Sequence, residues 1–327
     1  MNILITGGLG ILGNSLVKLL AKNNNNSVIV LDKFKNRKKF IHNKKNIKFV
    51  TGNFTNFSDI KKIIKKFSIQ AIFHLGAITT VLDALKKPHK TMKTNVMGTV
   101  NILESIRLIN KDIILIYSSS DKAYGEVSGK ASTRGFKENS RFKSKYPYDV
   151  SKSTSDMICE SYSHTYNVKV GIIRSANIYG PADFNLQRIV PDAILSSFAN
   201  KKLTIRSSGK LKRDYIYVDD AAEAYFLVFK EILNSNNLLK IYNIGTKDNF
   251  NTIELLEKIN KLLKKPILFE INDSSKKETA YKKLNYDKIT KELKWMPRTD
   301  INKGLQKTIS WYWSNFNKFK DNKKYRK

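Results

Sequence analysis

The chain begins with a strand-like run, Asn2-Ile3-Leu4-Ile5-Thr6, that leads directly into Gly7-Gly8-Leu9-Gly10-Ile11-Leu12-Gly13 and then into a helix-like stretch. Glycines 7, 10 and 13 satisfy G-x-x-G-x-x-G, and glycines 8, 10 and 13 satisfy G-x-G-x-x-G. Bare backbone at these positions permits a tight turn and brings peptide N–H groups close to a diphosphate at the N-terminus of the following helix. The pattern alone is weak, but its setting strengthens it. A second strand-like run, 27–31, ends on Asp32, 19 residues beyond Gly13, where a carboxylate can accept from both hydroxyls of a ribose. Few folds other than a βαβ unit accommodate that order.

The alternation continues. Apolar runs at 3–6, 27–31, 47–50, 71–75, 113–118 and 168–174 are separated by helix-like stretches at 11–22, 58–67, 95–110 and 148–166. This predicts an α/β protein with a Rossmann-type, doubly wound parallel sheet, helices on both faces and ligands at the carboxyl ends of the strands. Beyond Arg174 the elements shorten, at 191–198, 203–206, 215–230, 241–244 and 252–263, which predicts a second, smaller α/β substrate-binding lobe interleaved with the first. The expected division is 1–175 for nucleotide binding, with segments around 215–245 returning to it, 176–315 for substrate, and 316–327 as a solvated basic tail. No internal repeat and no Gly/Ser- or Pro-rich linker separates the lobes.

With 327 residues and 41% hydrophobic content the chain has enough apolar surface for a packed core. Its net charge of +32, from 60 Lys and Arg against 28 Asp and Glu, raises the question of nucleic acid. The lysines are spread along almost every segment, so the charge reads as compositional bias, and no nucleic-acid partner is expected. A positive field still raises the encounter rate with an anionic small molecule. Cys159 has no partner for an intrachain disulfide and reads as a buried thiol. Because the N-terminus reads as a strand rather than a leader, and runs such as 113–117 fall short of the about 20 residues a membrane span needs, the expectation is a cytoplasmic protein without membrane or metal.

Asp32 favours NAD, since a 2′-phosphate beside it would be repelled; Lys33, Arg37 and Lys38 nearby keep NADP as the alternative. The Asn53 amide, with Phe54, can frame an adenine, and the small residues of Leu75-Gly76-Ala77 allow a cofactor close approach. His74 before them reads as a structural histidine. A second cluster closes the fifth strand, Ser118-Ser119-Ser120-Asp121-Lys122, and Tyr148 and Lys152 follow four residues apart on a helix. Phenol and ammonium one turn apart can take a proton from a hydroxyl, whereas Asp121 and Lys122 form an additional acid/base pair that simple alcohol oxidation does not require. The competing readings are a surface i, i+4 contact for Tyr148 and Lys152, and an inert ion pair for Asp121 and Lys122.

Further motifs follow in order: Asn95-Val96-Met97-Gly98-Thr99, Asn177-Ile178-Tyr179-Gly180-Pro181, Arg213-Asp214-Tyr215, Tyr217-Val218-Asp219-Asp220 and Tyr242-Asn243-Ile244-Gly245. With them the chain resembles, from Met1 to about Trp313, the extended short-chain dehydrogenase/reductases of the sugar-nucleotide epimerase/dehydratase family. Ser120-Asp121-Lys122, Pro147-Tyr148-Asp149-Val150-Ser151-Lys152 and Ile205-Arg206-Ser207 are most similar to its CDP-glucose 4,6-dehydratase branch. The resemblance implies a cofactor site of Gly7, Gly10, Ile11, Leu12, Gly13, Asp32, Asn53, Phe54, Leu75, Gly76, Ala77, Asn95, Ser118, Tyr148 and Lys152.

It also implies NAD-dependent 4,6-dehydration of a nucleotide sugar. Tyr148, its pKa lowered by Lys152 and the cofactor's positive ring, takes the 4-hydroxyl proton, and Ser120 orients that hydroxyl. Asp121 is the acid at the departing 6-hydroxyl and Lys122 the base at C5, a role that requires a neutral lysine, which burial and nearby positive charge favour. Many dehydratases have Glu there. Asn177 and Arg213 are implied at the diphosphate, with Arg188 and Arg206 as further candidates unless they pair with Asp192 or Asp214. Pro181-Ala182-Asp183-Phe184 departs from the Gly-Gly-Asp-Trp of the CDP-glucose enzymes, which leaves base and sugar open. The alternative activity is 4-epimerisation, which shares Tyr148 and Lys152 but has no use for Asp121 and Lys122; a non-catalytic NAD-binding protein would not need the pair either. The resemblance implies a homodimer built on the helices after Asn95 and Tyr148, whose apolar residues include Val100, Leu103, Ile106, Met157, Ile158 and Tyr162; the second lobe is the other candidate to cover them.

Overall fold

A computed structural model describes residues 1–41, 44–125, 135–272 and 283–319. Its centre is a seven-stranded sheet of β1 (Asn2–Thr6), β2 (Ser27–Asp32), β3 (Ile47–Thr51), β4 (Ala71–His74), β5 (Ile114–Ser120), β6 (Val170–Ser175) and β10 (Leu239–Ile244), in the spatial order β3-β2-β1-β4-β5-β6-β10. Every pairing in it is parallel. The continuous apolar runs have a simple cause, since side chains alternate between two covered faces. Ile3, Ile5, Val28 and Val30 enter one buried core with α1 (Ile11–Leu20). Leu4, Ile29 and Leu31 enter the other, beneath α2 (Phe57–Lys66), α5 (Gly98–Ile109) and α6 (Pro147–Tyr166). Full burial of each such side chain stabilises the fold by roughly 1.5–3 kcal/mol.

Strand order reverses between β1 and β4, which opens a crevice at the carboxyl ends of those strands. Above it, α3 (Val81–Lys86) and α4 (Pro88–Met92) lead through one π-helical turn, Lys93–Met97, into α5. The helix foreseen at 95–110 therefore starts earlier, with Pro88 at its first turn, where the missing N–H costs nothing.

The later segments form two small sheets. β9 (Arg213–Tyr217) pairs in parallel with β7 (Asn177–Tyr179) and antiparallel with β11 (Asn249–Phe250), while β8 (Leu203–Ile205) pairs in parallel with β12 (Phe269–Ile271). α7 (Ile189–Phe198), α8 (Val218–Leu233), α9 (Thr252–Leu263), α10 (Asp287–Leu293) and α11 (Ile301–Asn315) accompany them, and their buried residues join the core on the α1 side of the large sheet. Side chains from Asn56, Thr80, Asn251 and Asp300 cap α2, α3, α9 and α11. Replacing such a cap with Ala typically costs about 0.5–2 kcal/mol. α1 instead starts at Gly10 with no side-chain cap and no acid in its first turn.

The tail expected from residue 316 is corrected in its first four residues. Phe316–Phe319 forms a 3-10 turn, and the Phe319 ring lies 6.0 Å from that of Phe184 and 6.2 Å from that of Phe40. Burying this aromatic ring outweighs the pull of the neighbouring lysines toward water. Residues 320–327 lie outside the described residues. Cys159 is a buried free thiol. Among the described residues no helix is long and apolar enough to cross a membrane.

Candidate active site

The turn after β1 requires bare backbone. Gly7 has φ +68°, and a Cβ there would lie 2.8 Å from the Gly76 Cα; one on Gly13 would lie 2.5 Å from the Gly7 carbonyl oxygen. The turn is tied to β2 through Asp32, whose Oδ2 accepts from the Leu9 N–H at 3.0 Å and whose Oδ1 accepts from the Phe34 N–H at 3.1 Å. Ile11 and Leu12 open α1. Asn53 is exposed at this rim, its Oδ1 accepting from the Thr55 N–H at 3.1 Å.

Phe54 turns inward from it, its ring 5.0 Å from that of His74 and pressed against Gly76 and Gly98, where a Cβ would collide with it. Thr99 donates its hydroxyl to the Asn95 carbonyl, so its oxygen accepts from His74 Nε2 at 3.2 Å, and Nδ1 accepts from Thr6 at 2.7 Å. Burial first, and then the Lys152 charge, push the His74 pKa down to about 3. His74 is a neutral structural bridge between β1, β4 and α5. Asn95 has a similar place: its amide donates to the Ile78 carbonyl and to Ser151 Oγ and accepts from the Ile78 N–H, which joins the loop holding Leu75, Gly76 and Ala77 to α6.

β5 ends in the three serines, and a 3-10 turn, Asp121–Tyr124, follows. Ser120 Oγ accepts from the Lys122 N–H at 3.2 Å and donates to Asp121 Oδ1 at 2.9 Å. Lys122 Nζ stands 3.4 Å from Asp121 Oδ2, with the side chains 17% and 7% exposed, so an acid and a base meet within one buried turn. Tyr148 and Lys152 are both buried on α6. Lys152 Nζ donates to the Ser118 carbonyl at 2.7 Å and lies 5.2 Å from the Tyr117 ring centre, while Ser118 Oγ accepts from Tyr225 at 2.7 Å.

Burial lowers the Lys152 pKa to about 8, against the opposing pull of Asp156 and Cys159. The lowering foreseen for Tyr148 included a bound cofactor's positive ring; in the protein alone the balance is different. Burial dominates and pushes the phenol well up, Arg188 and then the Ser120 hydroxyl draw it down, and Asp121 and Asp149 add to the rise.

Arg188 precedes α7, and the fold brings its charge within electrostatic range of Tyr148 although 40 residues separate them in sequence. Its Nη1 lies 3.3 Å from Asp183 Oδ2, a different partner from the Asp192 and Asp214 considered above. Asn177 and Arg213 share the three-stranded sheet: Asn177 Nδ2 donates to the Asp214 carbonyl at 3.2 Å, and the buried Arg213 donates to the Lys212 carbonyl at 2.7 Å. Arg206 stands half-buried after β8. Asp214 itself accepts from the Leu284 N–H and from Asn249, and burial raises its pKa to about 7, with Asp121 contributing to the rise.

Sequence reasoning passed over one feature beneath the site, a buried ion pair of Asp156 and Arg174 at 2.7 Å. Two signals pointed to it, the position of Asp156 one turn after Lys152 and a lone arginine in the otherwise apolar β6.

The profile of the NAD dependent epimerase/dehydratase family matches residues 3–245. A trifunctional UDP-glucose 4,6-dehydratase/UDP-4-keto-6-deoxy-D-glucose 3,5-epimerase/UDP-4-keto-L-rhamnose-reductase of Arabidopsis thaliana is 30% identical over 327 residues, which cover 96% of this chain and 47% of that protein. The chain thus spans about half the length of that relative. The dTDP-glucose 4,6-dehydratase of Escherichia coli is 28% identical, with 96% of this chain and 94% of the relative covered. Among solved structures, the dTDP-glucose 4,6-dehydratase of Bacillus anthracis in complex with NAD superposes with a TM-score of 0.84 at 28% identity, covering 97% and 98% of the two chains. The UDP-glucose 4-epimerase of Thermotoga maritima with UDP-glucose gives 0.86 at 26% identity, covering 97% and 100%. A matched stretch that runs from β1 through β10 takes in the glycine turn, the serine-ended β5 and the Tyr148/Lys152 helix together, and by it the chain belongs to the NAD dependent epimerase/dehydratase family.

Proposed function

We propose that this protein is an NAD-dependent 4,6-dehydratase of a nucleoside-diphosphate hexose, yielding a 4-keto-6-deoxy sugar nucleotide. The observation that carries the reading is the Asp121–Lys122 pair at 3.4 Å beside Ser120 in the turn that packs on the Tyr148/Lys152 helix. The 4,6-dehydratases of Escherichia coli and Bacillus anthracis, similar over nearly their whole lengths, support it.

The residues present suit NAD. No side chain fits at Gly7 or Gly13, α1 starts uncapped, and the Asp32 carboxylate is fixed at the turn, where it disfavours a 2′-phosphate. Arg37, the cation an NADP site would use, is partly buried over the rings of Phe34 and Phe184, with Asp32 and Asp183 sharing its charge. The chemistry NAD supplies when bound is reversible hydride transfer at the sugar.

Tyr148 takes the proton of the 4-hydroxyl, held by Ser120, as C4 becomes a ketone. The ketone acidifies the C5 hydrogen, which Lys122 removes, while Asp121 protonates the departing 6-hydroxyl. The elimination needs the pair with its shared proton on Asp121 Oδ2 rather than on Lys122 Nζ, as a neutral acid beside a neutral base 3.4 Å away. Lys122 then returns a proton to C5, and with NAD bound the hydride taken from C4 would be delivered to C6, so that one water leaves with no net redox change.

Arg188, Arg213, Asn177 and Arg206 are the proposed diphosphate-side contacts, and 176–315 the proposed substrate lobe over a nucleotide-binding 1–175 to which segments around 215–245 return. Met97, Leu108 and Met157 are 50%, 48% and 51% exposed on or beside α5 and α6, an apolar face that fits a cytoplasmic homodimer. Mass spectrometry of CDP-, dTDP- and UDP-glucose after incubation with the protein tests the reading. Loss of one water from a single sugar nucleotide supports dehydration, and an unchanged mass with inversion at C4 would instead establish an epimerase.

A further inference from the structure

Beneath the reacting residues, one carboxylate joins three elements. Asp156, with no exposed surface, lies on α6 one turn beyond Lys152 and two beyond Tyr148. Its Oδ2 accepts from Ser119 Oγ at 2.6 Å and from Arg174 Nε at 2.9 Å, and its Oδ1 accepts from Arg174 Nη2 at 2.7 Å. Ser119 is flanked by Ser118, whose carbonyl receives the Lys152 ammonium, and by Ser120, which faces the proposed reacting hydroxyl. Arg174 stands opposite Ser119 in the sheet register and passes on to the Tyr124 hydroxyl at 3.0 Å and to the Glu138 carbonyl at 2.7 Å.

We propose that Asp156 is a positioning residue of the active site: it locks the Tyr148/Lys152 helix to the serine end of β5 and fixes a negative charge one helical turn from the buried Lys152 ammonium. The inference rests on the proposed roles of Tyr148 and Lys152, but its test does not need the sugar. A buried fork that only held the fold together would be replaceable by apolar packing. Here the carboxylate is also one helical turn from the buried Lys152, within about 5–6 Å Cβ to Cβ.

The other groups around Lys152 leave Asp156 as its principal anion. On α6 they are Tyr148, the buried Asp149, Cys159 and Glu160, which lies 3.4 Å from Arg174; on β6 Arg174 itself; on β5 the Tyr117 ring and the Ser118 carbonyl; on β4 the neutral His74. The turn after β5 brings Asp121 paired with Lys122, and α5, which packs on the same face of the sheet as α6, brings Glu104 paired with Arg107 at 2.6 Å. Burial alone pushes Lys152 down and Asp156 is the foremost group holding it up, with the balance at about 8.

The experiment is a pH titration of the full-length protein with 13Cε-labelled lysine, followed by NMR, with the Lys152 signal assigned by its loss in Lys152→Arg. Asp156→Asn should lower the Lys152 midpoint by about one to two pH units, the scale of one charge at that separation. Asp156→Asn combined with Arg174→Met leaves no unpaired buried charge and should lower it in the same direction, which keeps the test available where the single variant does not fold. Arg174→Lys breaks the fork but keeps the carboxylate, and should leave the midpoint within about 0.3 unit, on the same scale.

The high-pH limb of kcat/KM should follow the same shifts. An unmoved midpoint in both Asp156→Asn proteins, or an equal fall in Arg174→Lys, would show that Asp156 acts by packing alone and would overturn the proposal. A wild type that turns over no sugar nucleotide would refute the activity while leaving the titration to decide the role of Asp156.

Discussion

Lys122→Met tests the elimination half of the mechanism and leaves the oxidation half intact. Across 3.4 Å, at an effective dielectric of about 20, the Asp121–Lys122 attraction is about 5 kcal/mol before desolvation of the ammonium is subtracted. Met fills most of the lysine's volume, but the buried Asp121 carboxylate loses its lysine partner, so the net loss of stability should be about 3–5 kcal/mol, at the lower end because Asp121 keeps the Ser120 hydroxyl at 2.9 Å. The rate effect is comparable. Losing a general base costs roughly 10²–10⁴-fold in kcat, or about 2.7–5.5 kcal/mol of barrier. Because Tyr148, Ser120 and Lys152 are untouched, the 4-hydroxyl is still oxidised. Reduced nicotinamide should then accumulate on mixing, visible by its ultraviolet absorbance, while proton NMR in heavy water shows no deuterium at C5. Wild-type exchange at C5, or a kcat within about threefold of wild type, would remove Lys122 as the base.

Three further outcomes follow from the geometry. Gly7→Ala forces an L side chain to φ +68° with its Cβ 2.8 Å from Gly76, a strain of about 1–2 kcal/mol that should weaken NAD binding by about tenfold in calorimetry; unchanged affinity would remove the close approach assigned to the turn. Asp214 has a pKa raised by burial to about 7, so the folded state holds its proton more tightly than the unfolded chain does. Its stabilising contribution is present at acid pH and is lost as pH rises from about 4 through about 7, and Asp214→Asn should flatten that part of the melting-temperature profile, whereas an unaltered profile would contradict the assignment. Met157→Glu puts a charge on the exposed apolar face of α6 and should convert a dimer to a monomer by light scattering at micromolar concentration; a wild type already monomeric there would end the dimer proposal.

What the sequence made legible was set by local chemistry. β1, β2, β4, β5 and β6 are buried on both faces, so each appears as an unbroken apolar run, and the glycine turn, the serine end of β5 and the Tyr148/Lys152 spacing follow from chain order alone. β7, β8, β11 and β12 have two or three residues each, too few to show a period, and β8 pairs with β12 across dozens of intervening residues.

The influence of Arg188 on Tyr148 arises only from the tertiary fold, and the Asp156–Arg174 pair depends on two elements meeting under the site. Sequence spacing displays the Lys152 charge beside Tyr148 but hides the burial that pushes the phenol up in the protein alone. Phe319 was assigned to a solvated tail because its lysine neighbours dominate the local composition, while its partners Phe40 and Phe184 are remote in sequence.

The most direct measurement is proton NMR of the purified protein with CDP-, dTDP- and UDP-glucose in heavy water. The account predicts a new C6 methyl signal without splitting from C5, deuterium at C5, and no reduced nicotinamide accumulating in the wild type. A C4 centre inverted with the 6-hydroxymethyl intact would contradict it, and would leave Asp121 and Lys122 as an ion pair that only shapes the turn.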